Sequence, residues 1–410
     1  MKHMNPVMDI RCILGTVSSV LKSEGVVEGG TGAMSSGRKM DKKKILIITN
    51  HSYMLYRFRK ELIQRLMEDY EVVISTPFVG HEEDLQELGA HCIETEVDRR
   101  SVNPVTDLRL LRTYKKILKR ENPDLVITYS IKPNIYAGYL CGKMKIPFLA
   151  NVQGLGTAFQ KPVLSDMVTV MYRTALRKVE KVIFENQANA QEFKKRRILS
   201  EEKEVVLHGA GINLEEYRYH FYPNNEKIHF LYLGRIMKEK GMDELFGAIE
   251  RLRKDGCEFV LDLVGFFEEE YRKKVEHLQK EGIVRFYGFQ EDPRPFYAQA
   301  DCVVLPSYHE GMSNVLLEAA ASGRAIITTD IPGCREAVDN GKSGMLCRVK
   351  SADSLYKAMK RFTELSRDKR EAIGKAGREK MEKEFDKNQV VEETVKVITG
   401  NRSKQERGRL

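Results

Sequence analysis

Short runs of consecutive apolar residues alternate with amphipathic stretches along most of this chain, and the alternation runs twice. Lys44-Ile45-Leu46-Ile47-Ile48-Thr49 is apolar without a polar gap, as a strand buried on both faces must be. Glu71–Ser75, Leu125–Thr128, Phe148–Ala150 and Val182–Phe184 repeat the pattern. Helical periodicity falls between them at about Tyr56–Met67, Glu82–Leu88, Asp107–Arg120, Tyr136–Met144 and Ser165–Val179. Polar turn residues then appear at Pro223-Asn224-Asn225, and Phe230–Leu233 opens a second series. Its strands are expected at Phe259–Val264, Val284–Tyr287, Cys302–Leu305 and Ala325–Thr328. Its helices are expected at Met242–Lys254, Glu269–Glu281, Pro293–Ala300 and Asn314–Ser322. Strand–helix alternation of this kind specifies parallel sheets covered on both faces. At 410 residues the chain is long enough for two such domains.

The expected organisation is an appended or wrongly started segment over 1–40, a first domain over 41–222 and a second over 223–385. A long last helix, about Lys369–Thr399, has no strand after it; its part over 386–400 would cross back to the first domain, leaving a tail at 401–410. The segment 1–40 is no signal peptide, because its best apolar run, Ile10–Leu21, is broken by Arg11, Gly15 and Thr16. No stretch approaches the roughly 20 apolar residues of a spanning helix. The seven cysteines are scattered and odd in number, and none forms C-x-x-C, which points to free thiols in a reducing compartment. The net charge of +9 leans towards the first half. Arg173, Arg177, Lys178 and Lys181 fall at helical spacing beside Met167, Val168, Val170, Met171 and Leu176, and Lys194–Arg197 is a second basic run. An anionic membrane surface would attract such a patch. Neither zinc-ligand spacing nor an aromatic-interleaved basic platform is present, so nucleic acid is not an expected partner.

The richest stretch chemically is Ser307-Tyr308-His309-Glu310-Gly311-Met312-Ser313-Asn314-Val315-Leu316-Leu317-Glu318, between a buried strand and a helix. Gly311 lets backbone approach a ligand, and the N–H groups of Met312, Ser313, Asn314 and Val315 offer an anion site at the helix start. Two carboxylates, Glu310 and Glu318, flank that site, which suits a sugar nucleotide. Leu233-Gly234-Arg235-Ile236-Met237-Lys238-Glu239-Lys240-Gly241 follows the first strand of the second series. Arg235 offers a bidentate fork and Lys240 a point charge to a leaving diphosphate.

With these motifs the sequence resembles the retaining glycosyltransferases of family 4, over residues 44 to about 395. Gly323-Arg324-Ala325, Asp330-Ile331-Pro332-Gly333 and Glu336 fit the same pattern. The resemblance implies a GT-B fold, two Rossmann-like doubly wound α/β domains facing across a cleft. The first half is most similar to a bacterial branch acting on lipid-linked sugars, through Tyr129–Asn134, Asn151–Thr157 and Gly211-Ile212-Asn213. It implies a retaining hexosyltransferase moving a hexose or N-acetylhexosamine from a nucleotide sugar, with UDP expected, to an undecaprenyl-diphosphate-linked saccharide. The enzyme would be cytoplasmic and peripheral on the inner face of the membrane.

By that resemblance Arg235 and Lys240 grip the diphosphate, Glu310 binds the transferred sugar and Glu318 the ribose. Gly234 and Gly311–Val315 line the donor, and Phe286-Tyr287-Gly288-Phe289 borders the base. Many relatives carry a glycine pair where this chain has Asn50-His51-Ser52-Tyr53, and often a histidine where it has Ile131. His51, Lys132 and Asn134 are then the polar groups left for the acceptor. The chain contains no D-x-D, the usual carboxylate pair for Mg²⁺ or Mn²⁺ on a nucleotide diphosphate, so no metal or other cofactor is expected. Four other readings compete with it, one of them a non-enzymatic sugar-binding or scaffold protein, which would not need both Arg235/Lys240 and Glu310/Glu318. A Rossmann oxidoreductase would need G-x-G-x-x-G after its first strand, and Thr49-Asn50-His51-Ser52 lacks it. A UDP-sugar epimerase of the same fold, or a transferase with a soluble acceptor, would share the donor residues.

Overall fold

The computed structural model describes residues 42–98, 103–156, 159 and 162–400. The expectations for 1–40 and 401–410 lie outside the described residues. Two compact units are present, one within residues 1–151 and 161–182, the other within 152–160 and 183–410.

The first series forms the strands β1 (Lys44–Ile48), β2 (Glu71–Thr76), β3 (His91–Glu94), β4 (Leu125–Tyr129), β5 (Phe148–Val152), β6 (Lys181–Phe184) and β7 (Glu204–Val206). They lie in the order β3-β2-β1-β4-β5-β6-β7. Ile45 is in parallel register with Val72 on one side and Leu125 on the other. Both neighbours of β1 are thus apolar, and Ile45–Ile48 are buried. The first helices are α1 (Ser52–Asp69), α2 (Glu82–Glu87), α3 (Pro104–Glu121), α4 (Ile131–Met144), α5 (Pro162–Ala175) and α6 (Gln187–Lys195).

The second series forms β8 (Ile228–Leu233), β9 (Phe259–Val264), β10 (Val284–Gly288), β11 (Cys302–Leu305), β12 (Ala325–Thr329) and β13 (Gly344–Cys347). Their order is β10-β9-β8-β11-β12-β13. The order reverses between β8 and β11, and open α/β sheets bind ligands beyond the carboxyl ends of the strands at such a switch point. Helices α7 (Met242–Lys254), α8 (Arg272–Lys280), α9 (Arg294–Gln299), α10 (Asn314–Ala321), α11 (Ala352–Thr363), α12 (Arg367–Glu384) and α13 (Lys387–Gly400) complete the chain. The core joins both sheet faces, from Phe230, Leu261 and Val303 to Leu316, Met359 and Phe362.

Several boundaries differ from the sequence expectations. Helix α1 begins at Ser52, four residues early, because the buried Ser52 hydroxyl donates to Gly80 O at 2.7 Å and accepts the Val79 N–H at 3.0 Å. Helix α3 starts at Pro104, where Asn103 caps the Val105 N–H and proline suits the first helical position. The expected helix over Ser165–Val179 is α5 followed by a 3₁₀ turn at Leu176–Lys178, and Lys181 belongs to β6. The long final helix is two. Asp386 Oδ1 accepts the N–H groups of Asn388 and Gln389 and so starts α13. Ile212 enters at the break, donating its N–H to Phe385 O and accepting from Lys387 N.

Candidate active site

In the second unit, the segments that follow β8 and β11 meet closely. Gly241 has φ +77°, and a Cβ there would lie 2.1 Å from Pro306 O. Only glycine meets both demands, a left-handed backbone and contact with a carbonyl. One residue on either side of this approach carries charge. Lys240, in a 3₁₀ turn, donates to Glu310 Oε1 at 2.5 Å, with 18% and 13% of the two side chains exposed. The structure therefore brings Lys240 and Glu310 together across 70 residues of sequence.

Arg235 lies nearer the end of β8. Its Nη1 donates to Glu268 Oε2 at 2.6 Å, with 45% of the arginine side chain exposed. Its carbonyl accepts from the buried Tyr232 hydroxyl at 2.6 Å, which fixes the backbone while the guanidinium stays open. Arg235 is the open member of this pair, while Glu268 keeps only 16% of its side chain exposed. Gly234 has φ +150°, and its carbonyl would lie 1.8 Å from a Cβ on Gly265. The turns after β8 and β9 therefore need glycine at both positions.

Gly311 is enclosed on several sides. A Cβ on Gly311 would lie 1.6 Å from Gln153 O, and a Cβ on Gly333, itself at φ +84°, would lie 2.4 Å from Gly311 O. Asn186 Nδ2 donates to Gly311 O at 2.5 Å. Beyond it, Ser313 stands at the N-cap position of α10 without a side-chain cap, and its N–H donates to Gly333 O at 2.8 Å. That amide is spent on the loop, so it is withdrawn from the expected anion cradle. Asn314 and Val315 form the first turn of α10, and Met312 is buried against the core. Tyr308 is held by its N–H on Glu239 O at 2.9 Å and its hydroxyl on Glu244. His309, next in the chain, has its pKa lowered by partial burial of the ring and by Lys350, against the pull of Glu239 and Glu310.

Glu318 falls in the second turn of α10 and is buried at 5% exposure, accepting from the Tyr297 hydroxyl at 2.8 Å. Of the four residues expected to border the base, Phe286 packs against Phe267 with ring centroids 4.9 Å apart. The Tyr287 hydroxyl donates to Asp262 at 3.2 Å, and Gly288 turns the chain at φ +69°. Phe289 remains open, 57% exposed, with Phe266 at 48% beside it and 6.4 Å between the rings.

The three expected acceptor residues fall in the first unit. His51 is the N-cap residue of α1, its ring 6.2 Å from that of Tyr53. Lys132 donates to Asp107 Oδ1 at 2.7 Å, and both side chains are largely covered. Asn134 is 1% exposed; its Oδ1 accepts from Thr128 Oγ1 at 2.6 Å and its Nδ2 donates to Asn151 O at 2.8 Å. The structure corrects the expectation for Asn134: both polar ends join β4 to β5, and neither reaches outward. Lys132 is likewise drawn into an ion pair within the unit. The described cysteines are free thiols; burial pushes Cys92 up to about 11 and Cys141 up to about 12. Among the described residues, no group of three or more His, Cys, Asp or Glu could hold a metal ion, and no helix is long and apolar enough to cross a membrane.

Sequence reasoning missed Gln153, Asn186, Glu268 and Tyr297. Their partners lie 21 to 158 positions away, so no local pattern marks the pairing; Gln153 stands within the Asn151–Thr157 motif but without a role assigned to it, and Asn186 carries one faint signal, as a helix N-cap residue.

Comparison with known proteins adds the following. A family model described as glycosyl transferases group 1 matches residues 215–380, and one described as glycosyl transferase 4-like matches residues 44–186. The chain is 30% identical to the N,N'-diacetylbacillosaminyl-diphospho-undecaprenol alpha-1,3-N-acetylgalactosaminyltransferase of Campylobacter jejuni subsp. jejuni, over 76% of this chain and 87% of that protein. It is 24% identical to the capsular polysaccharide biosynthesis glycosyltransferase CapM of Staphylococcus aureus, over 85% and 94% of the two chains. Among solved structures, a glycosyltransferase from Rickettsia africae superposes with a TM-score of 0.72 at 20% identity, covering 88% of this chain and 98% of that one. Anabaena Alr3699/HepE in complex with UDP and glucose gives 0.71 at 16% identity, over 87% and 100%.

Proposed function

This chain belongs to the group 1 glycosyl transferases with a 4-like first domain, and from that premise we propose which sugar transfer it performs. It moves a hexose or N-acetylhexosamine from a UDP-sugar to a saccharide carried on undecaprenyl diphosphate, with retention of configuration and without a metal. The observation that carries the reading is the Lys240–Glu310 pair at the switch point, beside the start of α10. A donor diphosphate supplies the negative charge for which Lys240 and Arg235 are placed, and the first-turn amides of α10 add a partial positive charge. Glu310, released from Lys240, accepts hydroxyls of the transferred sugar. Buried Glu318, oriented by Tyr297, takes the ribose.

As the sugar–oxygen bond breaks, charge develops on the departing diphosphate, and groups fixed beforehand stabilise it without reorganising. The leaving oxygen then takes the proton of the attacking hydroxyl on the same face, which retains configuration. With two cations and a helix start on the diphosphate, and no D-x-D in the chain, we propose that a divalent ion is not needed.

We further propose that the enzyme works at the inner face of the membrane through α5. Val163 and Val170 are exposed on this helix, at 72% and 59%, and Arg173, Arg177 and Lys178 are exposed at and beyond its end. Val168 and Leu176 point into the core instead, so the apolar part of the surface is narrower than the sequence suggested.

The test is a panel of radiolabelled UDP- and GDP-sugars, each with and without an undecaprenyl-diphosphate-linked sugar, in buffer with and without EDTA. Transfer from one UDP-sugar to the lipid, unchanged by EDTA, is expected. Free sugar or epimer without lipid product, or activity lost in EDTA and restored by Mn²⁺, would overturn the corresponding part of the proposal.

A further inference from the structure

Asn186 stands two residues beyond the end of β6 and serves two partners at once. Its Oδ1 accepts the Asn189 N–H at 2.9 Å, capping α6. Its Nδ2 donates to Gly311 O at 2.5 Å, 125 residues away. Both residues belong to the second unit, as do Gln153 and Gly333, which close on Gly311 from other sides. Asn186 is 2% exposed, so this hydrogen bond is shielded from water. The peptide it grips, between Gly311 and Met312, follows directly on Glu310 and leads into α10.

Gly311 has no side chain to hold it in place. Contact with Gln153 and Gly333 limits where the peptide can move, but neither sets its rotation. A directed hydrogen bond to the carbonyl does. We propose that Asn186 is a positioning residue for the transfer step: by fixing the Gly311 carbonyl it sets the direction of Glu310 and the distance from the α10 start to the diphosphate. The inference rests on the donor role given above to Glu310 and α10. Displacements of about 1 Å in such groups cost up to about 100-fold in rate while leaving ground-state affinity largely intact.

Asn186→Asp separates the two jobs. An aspartate still caps α6, since asparagine and aspartate cap about equally well. As a carboxylate it cannot donate, and it sets an oxygen against Gly311 O. UDP affinity of the full-length protein, measured well below its melting point, is therefore expected to stay near wild type, with the Kd changed by less than about threefold, while turnover of the donor falls about 10- to 100-fold; the buried carboxylate lowers the melting temperature at neutral pH, and less so at low pH. Backbone amides over 308–316 are expected to exchange hydrogen faster. A protonated aspartic acid can donate again, and burial raises its pKa. The variant-to-wild-type ratio of turnover should then rise as pH falls.

Turnover within about twofold of wild type, or a loss matched by an equal loss of UDP affinity, would overturn the proposal, as would a ratio flat with pH. Should the wild-type chain consume no nucleotide sugar, the donor reading fails by itself. Exchange over 308–316 then decides on Asn186: faster in the variant supports the clamp, and unchanged exchange overturns it.

Discussion

Lys240 and Arg235 show how two cations of one loop differ through burial. Lys240 and Glu310 are both mostly covered, so deleting the lysine leaves a carboxylate with little solvent to replace it; breaking a buried pair costs about 3–5 kcal/mol at the upper end. Arg235 is half-open, although its partner Glu268 is nearly as covered as Glu310. Lys240→Ala and Arg235→Ala are each expected to lower donor turnover about 100-fold or more, as for other groups that stabilise developing charge. The Lys240 variant should lower the melting temperature more than the Arg235 variant, because both members of its pair are covered. Steady-state kinetics with thermal unfolding checks both, and near-normal turnover in both variants would remove the diphosphate from this loop. Gly241→Ala adds a Cβ 2.1 Å from Pro306 O at φ +77°. It should push the two loops apart, with UDP affinity and stability falling together in calorimetry; an unchanged Kd would mean that the close approach is not part of the donor site.

Among the elements, the break between α12 and α13 turns on one side chain. Asp386 supplies two hydrogen bonds to the first turn of α13, and loss of such a cap costs about 1 kcal/mol. Asp386→Ala should therefore lower the unfolding free energy read from urea titration by about that amount, moving the midpoint down, while leaving Lys240 and Arg235 untouched; a midpoint at the wild-type value would show that the Ile212 bridge alone holds the break. The segment before β8 is held by another device. Arg324, fully buried, donates to Tyr297 O at 2.8 Å and to the carbonyls of His220 and Phe221 at 3.0 and 2.9 Å. Burial, and then the Arg324 charge, lower the pKa of His220 from 6.5. The neutral imidazole therefore adds stability that is present above pH 6.5 and is lost as pH falls below it. His220→Gln should flatten the decline in melting temperature between pH 7.5 and about 5.5, and parallel profiles for variant and wild type would exclude this histidine.

For the whole molecule the open question is how a soluble donor and a lipid-borne acceptor reach one catalyst. The exposed valines of α5 and the cations at its end offer apolar insertion and attraction to anionic lipid, each cation worth about 1 kcal/mol and screened by salt. Co-sedimentation with phosphatidylglycerol vesicles is expected at low salt and should fall as salt rises. Replacing Arg173, Arg177 and Lys178 with glutamine should weaken it by more than about tenfold, given three such contacts. Binding that is absent at low salt, or unchanged in the triple variant, would remove α5 from the membrane.

What the sequence determined by itself was the architecture and the parts list. Apolar runs such as Ile45–Ile48 and Val303–Leu305 can only be strands buried on both faces, and their alternation with helices leaves few topologies open. Motifs local in sequence were equally legible where they were read, in the glycines at 234 and 311 and the Glu310–Glu318 spacing along one loop and helix start, whereas the helix start at Asn103-Pro104 was passed over for Asp107. Pairing across the chain was decided only by the tertiary structure. Sequence could not show that Lys240 meets Glu310, that Asn186 holds Gly311, that Tyr297 orients Glu318, or that Asn134 is sealed between β4 and β5. The reason is physical. Backbone propensity and hydrophobic period act over a few residues, whereas a side chain's partner is set by which strands become neighbours, and here the strand order reverses between β8 and β11. The same polar residue reads as a ligand contact or as a structural clamp until that order brings its partner within reach.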